Sequence, residues 1–232
     1  MKTKKVEPRP KARLETGAAI LAAAKVVDVT VIKPRMTAFA SAHRSYAAAQ
    51  STVDAAETEL RKGRAHLARC DAVQDVAVEG LARALVADGQ PRANPFAEFE
   101  TGSPFAVKKL SGTEQAKTIR TLVDLIRESK TAGMATRRAA QAAEQAVGAV
   151  AAARLTMATL EATLRTARDM RTAVGQMWDN TLAALKRGAR AAADDGAPGL
   201  HEALFGGLRR RRSKTAKAAP APSPPAAPAS SV

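Results

Sequence analysis

Bulky side chains recur every seven residues along one stretch of this chain, at Phe39, Tyr46, Val53, Leu60, Leu67, Gln74 and Leu81. Three positions after each stands a small one: Ala42, Ala49, Ala56, Gly63, Cys70, Ala77 and Ala84. A seven-residue period keeps one face of an α-helix turned toward a partner helix, whereas a strand has a side-chain period of two and cannot carry it. Six of the seven bulky positions are apolar, so this seam has to be covered by another helix. The small layers let the two axes approach more closely than the usual separation of roughly 8–10 Å.

A partner with the same grammar lies downstream. Val150, Met157, Leu164, Arg171, Trp178 and Leu185 form one series, and Ala146, Ala153, Leu160, Ala167, Val174 and Thr181 form its companion; Arg171 and Thr181 are the faults. Alanine supplies 55 of the 232 residues, while Leu, Ile, Val and Phe together supply only 42. In a chain of net charge +15 that scarcity of bulk would by itself suggest disorder. The heptads decide for helix, as does the fact that Ala, Glu, Lys, Leu and Arg make up just over half of the chain. The expected fold class is all-α: a long antiparallel helical hairpin or coiled-coil bundle, with a disordered basic N-terminal arm and a Pro/Ala-rich C-terminal tail.

Proline and glycine divide the chain at Lys33-Pro34, at Asp88-Gly89-Gln90-Pro91, across 91–112 and at Asp195-Gly196-Ala197-Pro198. The expected organisation is a basic arm 1–13, a short helix 14–33, a heptad helix 35–88, a Pro/Phe loop 89–111, a second heptad helix 112–195, a short helical turn 198–208 and a tail 209–232. Ser111-Gly112-Thr113-Glu114 reads as a capping box. Gly133, Gly148, Gly175 and Gly188 each weaken the second helix by about 1 kcal/mol relative to alanine and mark expected bends. Antiparallel pairing sets 35–88 against about 112–165 and leaves 166–195 for the segment 14–32, which either continues past a kink at Pro34 or folds back. Two alanine-rich helices bury little apolar area, so self-association into a homo-oligomer is expected, most simply a four-helix bundle of two hairpins.

The charge is uneven. Residues 1–13 hold Lys2, Lys4, Lys5, Arg9, Lys11 and Arg13 against Glu7 alone, and residues 209–217 hold Arg209, Arg210, Arg211, Arg212, Lys214 and Lys217 with no acid. Six cations in nine residues suit a polyanion, with strong salt dependence and little sequence preference. The string Lys214-Thr-Ala-Lys217-Ala-Ala-Pro-Ala-Pro resembles in composition the tails of linker-histone-like proteins and of some polyester-granule-associated phasins. The first resemblance implies nucleic-acid binding and the second a coat on a granule or anionic membrane surface. The string Leu204-Phe205-Gly206-Gly207-Leu208-Arg209-Arg210 distantly resembles the Gly-Ser-Leu-Arg-Arg docking peptides of encapsulin cargo, departing from them at Phe205 and Gly207.

In the loop, Asn94-Pro95-Phe96-Ala97 and Ser103-Pro104-Phe105-Ala106 form a repeat nine residues apart. Phe96, Phe99 and Phe105 are either a protein-docking patch or a plug for the end of the bundle. For catalysis there is little: His43, His66 and His201 are far apart, and no HExxH, CxxC or phosphate-binding glycine loop occurs. No catalytic, metal or cofactor site and no small-molecule substrate is expected. Cys70 falls on the seam as a small buried side chain and Trp178 as a core residue; one cysteine excludes an internal disulfide and suits the cytoplasm. The best apolar run, Gly17 to Ile32, is broken by Lys25 and Asp28 and is too short to span a bilayer. The expected function is that of a non-enzymatic coiled-coil structural protein whose arms bind a polyanion, most simply nucleic acid. The alternatives are a phasin-like surface coat and a scaffold docking a protein through the Phe-bearing loop.

Overall fold

The computed structural model describes residues 10–207, of which 83% are helical and none is in a strand. The protein is thus an all-α helical bundle in which two long helices pack against each other. The elements are α1 (Pro10–Ala23), a 3₁₀ turn (Thr30–Ile32), α2 (Lys33–Ala87), a second 3₁₀ turn (Ala97–Phe99), α3 (Pro104–Lys109), α4 (Gly112–Glu128) and α5 (Met134–Ala191). Residues 200–207 are also helical. The chain divides into two compact units, the first made of residues 10–52 and 169–207 within the described range, the second of Val53–Arg168.

The heptad positions do what their spacing requires. Every bulky residue of the first series, including the polar Gln74, is buried or half-buried, and so is every small partner. On α5, Val150, Met157, Leu164, Trp178 and Leu185 are buried, and Ala146, Ala153 and Ala167 with them. Arg171, a fault in the pattern, is accommodated by donating to Gln50 Oε1 at 3.1 Å.

The register differs from the expected one. In the second unit Glu57 pairs with Arg168 and Asp88 with Gly133; in the first, Gln50 meets Arg171 and Phe39 meets Trp178. The partner of 35–88 is therefore 134–191 rather than 112–165. The cause is a break at 129–133, which cuts the expected helix 112–195 in two. Asp88 Oδ2 accepts the Gly133 N–H at 2.7 Å, and the Thr136 hydroxyl and this amide together hold the Asp88 carboxyl below its usual range. Arg137 donates to the carbonyls of Arg127, Ser129 and Ala132, occupying acceptors that the end of α4 leaves open. Ser111 meets Glu114 side chain to side chain at 2.7 Å, so the expected capping box lacks its hydroxyl-to-amide bond.

In the second unit, α4 lays the stripe Ile119, Leu122, Val123 and Ile126 onto Val78, Leu81 and Leu85 of α2 and Ala140, Ala143 and Val147 of α5. Farther along, Val53, Ala56 and Leu60 meet Met157, Leu164 and Ala167 with no third helix in the cluster. A Cβ on Gly63 would come within 2.6 Å of Leu160 Cδ1, so only glycine leaves room for that side chain as placed. The Pro/Phe loop is more ordered than expected. Asn94 Oδ1 accepts the Phe96 N–H, turning Phe96 and Phe99 into the core, while Ser103 caps α3 by accepting the Ala106 N–H. Lys108 ties α3 to Glu79 of α2 at 2.6 Å; this pairing holds Glu79 below and Lys108 above their usual ranges.

In the first unit α1 folds back beside α2 and α5, which decides between the two arrangements expected at Pro34. Pro34 sits in the first turn of α2, where its missing N–H has no intrahelical partner to lose. The core gathers Ile20, Met36, Phe39, Tyr46, Trp178, Leu185, Leu204 and Phe205.

Two phenylalanines of the same local grammar should behave differently on truncation. Phe96 is fully buried, so Phe96→Ala is expected to cost about 3–5 kcal/mol in urea unfolding followed by circular dichroism. Phe105 is 64% exposed, and Phe105→Ala should stay within about 0.5 kcal/mol of the parent.

Candidate functional site

The cations that the sequence nominates for a polyanion, Lys2, Lys4, Lys5, Arg209, Arg210, Arg211, Arg212, Lys214 and Lys217, all lie outside the described residues, as do most of the basic arm and the whole Pro/Ala-rich tail. Residues 10–13 are described and correct the extent of the arm. They open α1, and Arg13 is 4% exposed, its Nη2 donating to Asp179 Oδ2 at 2.7 Å. A cation held in this way is part of the core and not of an arm.

Of the phenylalanines nominated for docking, Phe96 and Phe99 belong to the buried cluster of the second unit, because the Asn94 turn directs them inward. A docking patch built on all three is therefore not formed. Phe105 remains at the surface with the Lys109 ammonium 4.2 Å from its ring centre. Leu204 and Phe205 are buried in the first unit, so the start of the Leu204-to-Arg210 string is core rather than a free peptide.

The structure brings together a group that the sequence scatters between residues 13 and 179. Arg13 and Gly17 of α1, Phe39, His43 and Tyr46 of α2, and Trp178 and Asp179 of α5 converge in the first unit. The Arg13 guanidinium lies 5.5 Å from the Tyr46 ring centre, and Trp178 lies 5.6 Å from Phe39 and 6.4 Å from Tyr46. The His43 ring packs directly on Gly17, where any Cβ would collide with it. Trp178 Nε1–H donates to His43 Nδ1 at 3.3 Å, which requires that nitrogen to be unprotonated. Burial pushes the His43 pKa down, in the same sense. The cluster joins three helices through packing, one ion pair and one hydrogen bond, and its chemistry is that of a structural lock.

A second feature is the outer side of α5 in the second unit. Gly148, Ala151, Ala152, Leu155, Ala158, Thr159, Ala162 and Thr166 are all exposed and, at about 100° per residue, share one arc of about 120°. The three charged residues of that stretch, Arg154, Glu161 and Arg165, fall outside the arc. Thr156, Thr159 and Thr163 donate their hydroxyls to the carbonyls four residues back, at 2.9–3.2 Å, so they present mostly methyl groups outward. Among the described residues α5 is the one helix long and apolar enough to cross a membrane, and 28% of its most apolar 18-residue window is buried. Alanine produces the hydropathy, but this face is not used up by the fold.

Among the described residues no three His, Cys, Asp or Glu side chains are grouped so as to hold a metal ion. Cys70 is half-buried, with its sulfur 3.7 Å from His66 Nε2 one turn earlier. Fold and surface together define an alanine-rich, all-helical protein built on one antiparallel pair of long helices. Comparison with known proteins adds no family to that class: no family model, no curated protein and no solved structure matches the chain.

The His43 arrangement gives a pH dependence of defined sign. Because the folded state holds the imidazole pKa below 6.5, the unfolded chain takes up the proton first as pH falls. Stability is therefore expected to be flat above about pH 7 and to decline below about pH 6.5, with Trp178 emission reporting the loss of its hydrogen bond. His43→Gln keeps an acceptor for Trp178 without a titrating ring, and should remove most of the decline between pH 7 and pH 5.

Proposed function

We propose that the chain is a non-enzymatic helical scaffold that self-associates and whose flanking cations attach it to a polyanion, nucleic acid foremost, without sequence preference. The observation that carries this reading is the contrast in charge patterning. Within 10–207 cations and acids are both present throughout and several pair, as in Lys108–Glu79, Arg168–Glu57, Arg127–Glu144 and Arg13–Asp179. Residues 209–217 set six cations in nine positions with no acid to pair with. A run of that density gains its affinity from counterion release and needs no base-reading geometry.

A second reading is a coat on a granule or lipid surface, in the manner of phasins. What favours it is the exposed, uncharged arc of α5 around Leu155. The same arc, exposed and without charge, also suits a second copy of the chain.

Removing 209–232 is expected to abolish retention on heparin and duplex DNA at low salt and to leave far-ultraviolet helicity intact. With six phosphate contacts the full chain should lose affinity for DNA with a log–log salt slope of about −5. Unchanged retention after the deletion rejects the first reading. Leu155→Glu, a change at a 73% exposed position, should weaken binding to oil droplets or neutral vesicles only under the second. If neither surface binds and light scattering reports a monomer, the self-associating scaffold itself is rejected.

A further inference from the structure

In the second unit the last turns of α2, the loop 92–95 and the start of α3 line an open cleft of about 400 Å³. Ala82, Val86, Pro95 and Pro104 give it an apolar lining, and Arg83 and Arg92 complete its wall. Its size lies in the lower part of the range for small-molecule clefts, and an apolar lining with a few charged groups is their usual composition. The walls are held from behind. Phe96 and Phe99 anchor the loop in the core, Ser103 caps α3, and Lys108 fastens α3 to α2 through Glu79.

The cationic charge at this cleft is only partly offset by ion pairing. Arg92 has no ion-pair partner among the described residues. Arg83 Nη2 pairs with Glu79 Oε2 at 3.4 Å, and the other oxygen of that carboxylate takes Lys108 at 2.6 Å, so one acid serves two cations. Two cationic residues in the wall of one hollow favour an anion beside them, and guanidinium matches the planar, two-oxygen geometry of a carboxylate. An inorganic anion would leave the apolar lining unused, and a neutral lipid would leave the arginines unused.

We propose that this cleft binds a small organic anion with an apolar body, of the class of a medium-chain carboxylate. Its head group meets Arg83 and Arg92, and its chain lies against Val86, Pro95 and Pro104. The inference is independent of polyanion binding by the flanks.

The test uses the full chain with octanoate as the probe, followed by ligand-observed NMR and calorimetry, with 1-octanol, octylammonium and acetate for comparison. Octanoate is expected to bind saturably with a dissociation constant on the order of a millimolar or tighter. Octanol and acetate should each bind at least about tenfold more weakly, and octylammonium not measurably. Arg83→Gln combined with Arg92→Gln should weaken octanoate at least about tenfold while leaving heparin retention unchanged, which separates the cleft from the flanking cations. Val86→Trp, which fills the cleft and keeps both arginines, should also remove octanoate binding. Absence of saturable octanoate binding, equal binding of octanol, or undiminished binding in the double arginine variant would each overturn the proposal.

Discussion

In the second unit, where α2 faces α5, small residues sit among the bulky ones: Gly63 and Ala56 of α2 and Ala167 of α5. Met157 and Leu160 lean over Gly63, and Leu164 and Met157 pack with Val53, Ala56 and Leu60. Close approach of the backbones gives good contact, but each alanine removes little apolar area from water, at roughly 25 cal/mol per Å². Such a pair needs either great length or additional cover, and this chain uses both. The helices run for 55 and 58 residues. In the second unit α4 and the loop phenylalanines add bulk, and in the first α1 and the segment 200–207 do so. The few aromatic residues are concentrated where extra helices meet the pair.

The heptads were legible because seam residues repeat with the helix, so their burial follows from spacing alone. The register was not, because it depends on where the second helix starts. Four glycines marked weak points in the sequence, and only Gly133 coincides with a break. Gly175 and Gly188 stay inside α5, with Arg13 and Arg35 packed close over them, and Gly148 stays inside with nothing near it. What distinguishes Gly133 is supplied from far away: a carboxylate on Asp88, 45 residues earlier, takes its amide. A local propensity reading has no access to such a partner. The Asn-Pro-Phe and Ser-Pro-Phe repeat teaches the same lesson. Both make a turn or cap as their residues dictate, but Phe96 ends in the core and Phe105 at the surface because the chain that follows differs.

The candidate cluster of the first unit was the least legible feature. His43 sits beside the seam and reads as a helix-face residue, and Arg13 reads as the last cation of a basic arm. Their roles come from Gly17, Trp178 and Asp179, which only tertiary structure brings to them. Trp178 was legible as core, but not as a donor to an imidazole. The cleft beside Arg83 and Arg92 was equally hidden, since it is made by folding the 92–104 segment back on α2.

Correcting Arg13 also changes the electrostatic picture. With α1 beginning at Pro10, residues 1–9 retain four cations against Glu7, so under the proposed polyanion reading the N-terminal flank would contribute less than its first thirteen residues suggest. The dense run is 209–217, and it follows the segment whose Leu204 and Phe205 are fixed in the first unit's core. A cationic run attached to a packed anchor has a defined starting point, so an assembly of several copies would present several such runs at fixed origins. Affinity would then grow with copy number through effective concentration, without any new contact. On this argument the proposed sequence-independent binding by a single run and the proposed self-association of the scaffold would be one mechanism, and neither would be expected to hold a polyanion firmly alone.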